Sequence, residues 1–127
     1  MRMVLVLDDD ADLRETVSDM LAEDGYRVCT ARDAASALAQ LGSLPVGLVV
    51  MDYAIPVPAE GEAFLRAKAA DPRIAKVPVI LMSGYELDGG MPGTAALLPK
   101  PFDAETLLAT VRRLLGPPDP PEDGSSG

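Results

Sequence analysis

The sequence of 127 residues contains no histidine and only one cysteine, Cys29. Without histidine, this chain cannot build a Ser-His-Asp triad, a histidine-ligated zinc site or a phosphohistidine. One cysteine excludes both an internal disulfide and a cluster of thiolates around zinc. The position of Cys29 between Val28 and Thr30 predicts a buried core thiol in a reducing compartment.

Basic residues and long apolar runs are also scarce. Eleven basic residues against twenty acidic ones leave a net charge of −9, which argues against nucleic acid or an anionic membrane surface as a direct partner. The N-terminal apolar run, Met3 to Leu7, is too short for a signal peptide or a membrane span. We therefore expect a cytoplasmic protein. A chain of this length can bury the core of one domain without disulfides or metals.

Short apolar runs alternate with stretches of helical periodicity along the chain. Continuous apolar runs predict buried strands at residues 4–7, 26–31, 46–51, 77–82 and 94–98. Helices are predicted at 11–24, after a cap at Asp33, at 61–71, and from a cap at Asp103 to Gly116. Residues 53–60 are predicted as loop because of their prolines, and the glycine-rich stretch 84–93 supports at most one helical turn.

This alternation predicts a doubly wound α/β fold with a parallel sheet, since strands that are apolar on both faces are covered by helices on both sides. Right-handed crossovers then bring the carboxyl ends of all strands to one edge of the sheet. Ligands of such folds bind at that edge. Polar residues that follow the strands are therefore the candidates for a functional site.

Five polar residues stand at these strand ends: Asp8 and Asp9, Asp52, Ser83 and Lys100. Two unit charges about 4 Å apart repel by about 4 kcal/mol at an effective dielectric constant near 20, so three converging carboxylates need a compensating cation. Carboxylate oxygens suit Mg²⁺, and Mg²⁺ together with Lys100 would bring the site near neutrality. Such a site fits a phosphoryl group, with Asp52 as the nucleophile that forms an acyl phosphate.

These residues stand in motifs that resemble the receiver domain of bacterial two-component response regulators. The matching pieces are VLVLDDDADLRE (4–15), LVVMDY (48–53) with Pro56 after it, VPVILMSG (77–84) and LLPKPF (97–102). The resemblance covers residues 1–116. It implies a flavodoxin-like fold of five strands in the order 2-1-3-4-5. It also implies a signalling switch rather than a turnover enzyme, whose only chemistry is phosphotransfer to Asp52 and the later hydrolysis of the aspartyl phosphate.

The resemblance also implies a role for each site residue. Asp52 accepts a phosphoryl group from a phosphohistidine on a sensor histidine kinase or phosphotransfer protein, or from a small phosphodonor. Asp9 ligates Mg²⁺ directly, Asp8 does so largely through water, and the backbone carbonyl of Ala54 completes the protein's ligands.

On the far side of the site, the resemblance implies that Lys100 pairs with the phosphoryl oxygens and that its peptide bond to Pro101 is cis. Ser83 is implied to move towards the phosphoryl group and report it to the outer surface.

The sequence departs from the receiver pattern in three places. Gly61 lies nine residues after Asp52, which makes that loop about one residue longer than usual. Only 17 positions separate Ser83 from Lys100, so we expect the helix between the fourth and fifth strands to be shortened or irregular. Leu97 occupies the position of an aromatic switch residue, and Tyr85 either gates the site or covers ordinary surface. These departures put the family's usual output surface in doubt.

Two other functional classes stay open at this point. A pseudo-receiver would keep the fold as a protein-interaction module without a phosphorylation cycle. A haloacid-dehalogenase-like phosphatase would use an aspartate on the first strand, although Asp12 stands where that family has Thr or Val. Taken singly, the acids of 8–12 could also be helix caps, and Ser83 and Lys100 could be ordinary loop residues.

We expect a receiver domain at residues 1–116 and an extended, mobile tail or truncated linker at 117–127, where proline and glycine dominate. No output domain fits in this length, so the chain is a stand-alone receiver or one cut from a longer protein. The downstream partner is unknown, and a homodimer through the face of the helix between the fourth and fifth strands is a hypothesis.

Overall fold

The computed structural model of the chain describes residues 3–52, 58–83 and 94–118. A parallel five-stranded sheet has the strand order β2-β1-β3-β4-β5, which confirms the predicted fold and order. The strands are β1 (Met3–Leu7), β2 (Arg27–Ala31), β3 (Val46–Asp52), β4 (Val79–Ser83) and β5 (Ala96–Pro99). The helices are α1 (Ala11–Glu23), α2 (Ala34–Ser43), α3 (Pro58–Ala70) and α4 (Ala104–Leu115). The expected shortened helix would fall on residues 84–93, which lie outside the described residues.

Two apolar layers cover the two faces of the sheet. Alternate residues of the inner strands point to opposite faces, so Leu5 and Val49 join the cluster beneath α2 and α3. Val4 and Val50 join the cluster beneath α1 and α4. All four side chains are fully buried. The site residues at the strand ends therefore stand on a rigid scaffold.

Aspartate side chains begin three of the helices, and each accepts hydrogen bonds from backbone N–H groups of the first turn. Asp10 accepts from Asp12 N at 3.0 Å, Asp33 from Ser36 N at 2.8 Å, and Asp103 from Thr106 N at 2.7 Å. Such a cap contributes about 1 kcal/mol. Capping accounts for Asp10 and Asp33, and it leaves Asp8 and Asp9 to be explained otherwise.

Two sequence-based predictions about exposure and helix limits are wrong. Helix α3 begins at Pro58, within residues 53–60 that were predicted as loop, because the fixed φ of proline suits the first helical position. Cys29 is only half-buried, since β2 lies at the edge of the sheet.

The buried side of α3 includes one charged residue. Phe64, Leu65 and Lys68 are buried, and Ala67 is exposed. Lys68 is 4% exposed, and its amine donates a 3.0 Å hydrogen bond to the carbonyl of Ala75. Desolvation lowers the pKa of this amine.

The chain after α4 returns to the turn between α1 and β2. Tyr26 donates a 2.6 Å hydrogen bond from its hydroxyl to the carbonyl of Gly116. A Cβ placed on Gly25 would lie 3.3 Å from the ring of Pro118. The first residues of the predicted tail thus pack on the domain, and residues 119–127 lie outside the described part of the chain.

No helix within residues 3–52, 58–83 and 94–118 is long and apolar enough to cross a membrane.

Candidate functional site

The carboxyl edge of the sheet gathers the polar residues that the sequence placed at strand ends. Asp8 follows β1, Asp52 ends β3 and Ser83 ends β4. One carboxylate oxygen from each of Asp8, Asp9 and Asp52 lies within 4.8 Å of the others. Asp8 and Ser83 are each 1% exposed and Asp52 is 9% exposed. Three carboxylates therefore share one small and mostly buried space.

Asp8 is held by its own backbone and by its neighbours. Its N–H donates to the carbonyl of Ala31 at 3.1 Å, and its Oδ1 accepts from Asp10 N at 2.9 Å. Arg14 donates from its guanidinium to the carbonyl of Asp8 at 2.8 Å. The other carboxylate oxygen, Oδ2, is buried without a hydrogen-bond partner among the described residues. A buried, unpaired carboxylate oxygen is costly unless a cation or proton meets it.

The electrostatic setting of Asp8 reflects this burial. Desolvation raises the pKa of Asp8 to about 6, with the charges of Asp52 and Asp9 adding to the rise. The Asp10 N–H and the charge of Lys100 act in the opposite direction but only partly offset it. The site thus disfavours the ionised Asp8 carboxylate on its own, and a nearby cation would restore it.

Lys100 places its ammonium on Asp52. The backbone N–H of Lys100 donates to the carbonyl of Ser83 at 2.7 Å and extends the pairing of β5 with β4. From there the Lys100 Nζ forms an ion pair with Asp52 Oδ1. The Lys100–Pro101 peptide bond is cis, as the sequence motif predicted. The one cation of the predicted site therefore contacts the predicted nucleophile.

The donor set fits a hard divalent cation. If all three carboxylates carry their formal charge, the ammonium of Lys100 leaves a net charge of −2 in the cluster. Oxygen ligands of this kind suit Mg²⁺, and the unpaired Oδ2 of Asp8 is a free acceptor within the cluster. The three carboxylates present therefore fit a Mg²⁺ ion.

Some predicted features cannot be placed, and one contact was missed. Ala54 and Tyr85 lie outside the described residues, so the backbone ligand and the gate remain predictions. Leu97 lies on β5 and is 37% exposed. The sequence analysis did not identify Arg14, which supports Asp8 from the first turn of α1. A basic residue six positions beyond the first aspartate was its only signal.

Known proteins resemble this chain in both sequence and fold. The family described as the response regulator receiver domain matches residues 4–112. Response regulator Rre1 of Synechocystis sp. is 33% identical over 129 aligned positions, which cover 97% of this chain and 55% of the relative. The phosphate regulon transcriptional regulatory protein PhoB of Escherichia coli is 28% identical, over 90% of this chain and 52% of its own length.

A solved structure has a similar fold. The chemotaxis response regulator CheY4 of Vibrio cholerae has a TM-score of 0.81 and 30% sequence identity, and the comparison covers 91% of this chain and 99% of that one. By contrast, this chain spans about half the length of the two curated relatives named above. The match therefore concerns one domain of those longer proteins.

Proposed function

Because this chain belongs to the response regulator receiver domain family, we propose that it is a phosphorylation-dependent switch with Asp52 as its phosphoacceptor. Receiver domains accept a phosphoryl group on an aspartate and act as signalling modules of two-component systems. The observation that carries the assignment to Asp52 is its position. It lies beside two further carboxylates and is paired with the ammonium of Lys100.

Asp52 acts as the nucleophile in this proposal. One carboxylate oxygen forms a bond to phosphorus while the bond from phosphorus to the donor breaks, and the leaving group keeps the electron pair. Lys100, which holds Asp52 Oδ1 before the reaction, then pairs with a phosphoryl oxygen. The low exposure of Asp52 strengthens these charge interactions and limits the access of water.

Asp8, Asp9, Asp52 and the backbone carbonyl of Ala54 would hold Mg²⁺ beside the nucleophile. Receiver domains generally bind this ion through an acidic pocket. When bound, it supplies positive charge for the phosphoryl oxygens. The bound ion would stabilise Asp8 most, because the Oδ2 of this carboxylate is buried and has no hydrogen-bond partner among the described residues.

Ser83 would report the phosphoryl group to the rest of the molecule. It ends β4 and is 1% exposed, and its hydroxyl can donate to a phosphoryl oxygen. The backbone carbonyl of Ser83 also accepts a hydrogen bond from Lys100 N, so a movement of Ser83 would displace the end of β5. Phosphorylation then shifts the balance between two conformations of this edge of the sheet.

The phosphodonor lies outside these 127 residues, which contain no histidine. Receiver domains interact with histidine kinases or phosphotransfer proteins and with output domains. We propose a phosphohistidine of such a kinase or phosphotransfer protein as the natural donor, and a cytoplasmic location where these donors are made.

Intact mass spectrometry tests the assignment. The chain is incubated with acetyl phosphate or phosphoramidate, with Mg²⁺ or with EDTA. We expect an adduct of about 80 Da, one HPO₃, only when Mg²⁺ is present. Asp52→Asn should abolish it, and Asp19→Asn, an exposed carboxylate on α1, should leave it unchanged.

Two results would contradict the proposal. An adduct that persists in Asp52→Asn would place the acceptor elsewhere. A folded wild-type chain that takes up no phosphoryl group from either small donor or from a phosphorylated kinase would favour the pseudo-receiver alternative.

A further inference from the structure

The turn from β1 to α1 carries two of the three clustered carboxylates. On one side of it, Asp8 donates from its N–H to the carbonyl of Ala31 at 3.1 Å. Asp8 Oδ1 accepts from Asp10 N at 2.9 Å, and Asp10 in turn caps α1. Between these held residues, the Asp9 side chain is exposed and makes no hydrogen bond or ion pair with the described part of the chain. Asp9 therefore keeps its place in the cluster through its backbone.

The backbone at Asp9 depends on Arg14. The carbonyl of Asp8 accepts a 2.8 Å hydrogen bond from Arg14 Nη1. This carbonyl oxygen lies in one rigid plane with the N–H and Cα of Asp9. A guanidinium that fixes the orientation of the plane therefore also fixes the position of the Asp9 Cα. Arg14 is half-buried, and its own N–H donates to the carbonyl of Asp10 at 2.9 Å, which anchors it in the first turn of α1.

Repulsion between the carboxylates acts against this arrangement. One oxygen from each of Asp8, Asp9 and Asp52 lies within 4.8 Å of the others, and like charges at this separation repel strongly where little water screens them. Asp8 and Asp52 are buried at strand ends, so Asp9 is the member that could turn away. A donor that holds its backbone keeps the three carboxylates together before any cation enters, which reduces the cost of binding one.

We propose that Arg14 is a positioning residue that sets the affinity of the acidic site for Mg²⁺, because it holds Asp9 in place through the carbonyl of Asp8. The inference rests on the proposed function, since it assumes that these carboxylates hold Mg²⁺. Loss of a residue that orients metal ligands typically weakens metal binding 10- to 100-fold. Arg14 holds the backbone beside a ligand rather than the ligand's own side chain, so we expect about tenfold.

A Mg²⁺ titration of the whole chain, followed by ¹H–¹⁵N NMR without a phosphodonor, measures this affinity. Arg14→Met keeps an apolar stem and removes the donors, and it should raise the Kd for Mg²⁺ about tenfold. Loss of positive charge alone would act in the opposite direction, because it favours a cation nearby. Arg14→Lys can still donate to the carbonyl and should recover part of the affinity. Arg66→Ala removes an exposed positive charge from α3 and should leave the Kd unchanged.

A double-mutant cycle with Asp9→Asn separates positioning from general support of the fold. In the Asp9→Asn background the carboxylate that Arg14 positions is already gone, so Arg14→Met should change the Kd less than twofold. A residue that only supports the fold would weaken Mg²⁺ binding equally in both backgrounds. The NMR spectrum without Mg²⁺ shows whether each variant is folded. Arg14→Ala, with the same expected loss, replaces Arg14→Met if the longer side chain disturbs the packing.

The outcomes separate this proposal from the proposed function. Equal Kd values for the wild type and Arg14→Met would overturn the role of Arg14 alone, and so would an equal loss in the Asp9→Asn background. An unchanged Kd with slower phosphorylation by a phosphohistidine protein at saturating Mg²⁺ would also overturn it, and would place Arg14 in donor recognition. If Mg²⁺ shifts no resonance of residues 8–10 in the wild type, the proposed magnesium site fails and this inference fails with it.

Discussion

The buried carboxylate of Asp8 should destabilise the fold whenever no cation neutralises it. Its side chain is 1% exposed, and its Oδ2 has no hydrogen-bond partner among the described residues. Replacing it with asparagine removes the charge and keeps an oxygen that can accept from Asp10 N, as Oδ1 does at 2.9 Å. We therefore predict that Asp8→Asn raises the free energy of unfolding in the absence of Mg²⁺.

The magnitude follows from the raised pKa of Asp8, about 6 in the folded chain against an ordinary 3.8. Between these two values the folded chain binds a proton that the unfolded chain releases, so its unfolding free energy falls as pH rises through this window. At 1.36 kcal/mol for each pKa unit, the loss above pH 6 reaches about 3 kcal/mol. Burial of the new amide N–H₂ group offsets about 1 kcal/mol of this gain. The net gain at pH 7.5 should be about 2 kcal/mol.

Urea denaturation followed by circular dichroism, in EDTA, measures this difference at pH 7.5 and at pH 4.5. The gain should be large at pH 7.5 and small at pH 4.5, where the folded wild type carries a neutral Asp8. Asp9→Asn is the matched control, because it removes a charge from the same cluster at an exposed position and should gain much less. The reasoning is refuted if Asp8→Asn destabilises the chain at pH 7.5, or gains no more than Asp9→Asn.

Three further predictions concern stability: the first is measured by thermal denaturation without EDTA, and the other two by the same urea denaturation. Mg²⁺ at 10 mM should raise the Tm of the wild type, because it binds only the folded site, and a similar rise in Asp8→Asn would argue against this site. Gly25→Ala should destabilise the chain by about 1–2 kcal/mol, since Gly25 has φ of 102° and a Cβ there would lie 3.3 Å from Pro118. An unchanged stability would mean that this turn relaxes freely. Tyr26→Phe should lower the free energy of unfolding by about 1 kcal/mol, because it removes the 2.6 Å hydrogen bond to the carbonyl of Gly116. Deleting residues 116–127 should therefore destabilise Tyr26→Phe less than it destabilises the wild type, by the contribution of this bond.

The sheet and the carboxylate cluster could be predicted from the sequence because both follow from local pattern and topology. Buried parallel strands read as continuous apolar runs, and the rule that their carboxyl ends share an edge brings Asp8 and Asp52 together from 44 positions apart. The predicted cis bond before Pro101 rested on the motif alone, and it is present.

Contacts that depend on how distant surfaces meet could not be predicted in this way. The hydrogen bond from Tyr26 to Gly116 joins residues 90 positions apart, and no periodicity links them. The start of α3 was misplaced because a proline breaks a helix interior but favours its first position. The exposure of Cys29 depends on which strand lies at the edge, and five apolar runs alone do not specify an edge.

Locating the phosphoryl group tests the central claim most directly. The phosphorylated chain is reduced with borohydride, which converts an aspartyl phosphate to homoserine, and the peptides are sequenced by mass spectrometry. The account predicts homoserine at position 52, dependent on Mg²⁺. Homoserine at Asp8 or Asp9 instead, with Asp52 unmodified, would contradict it.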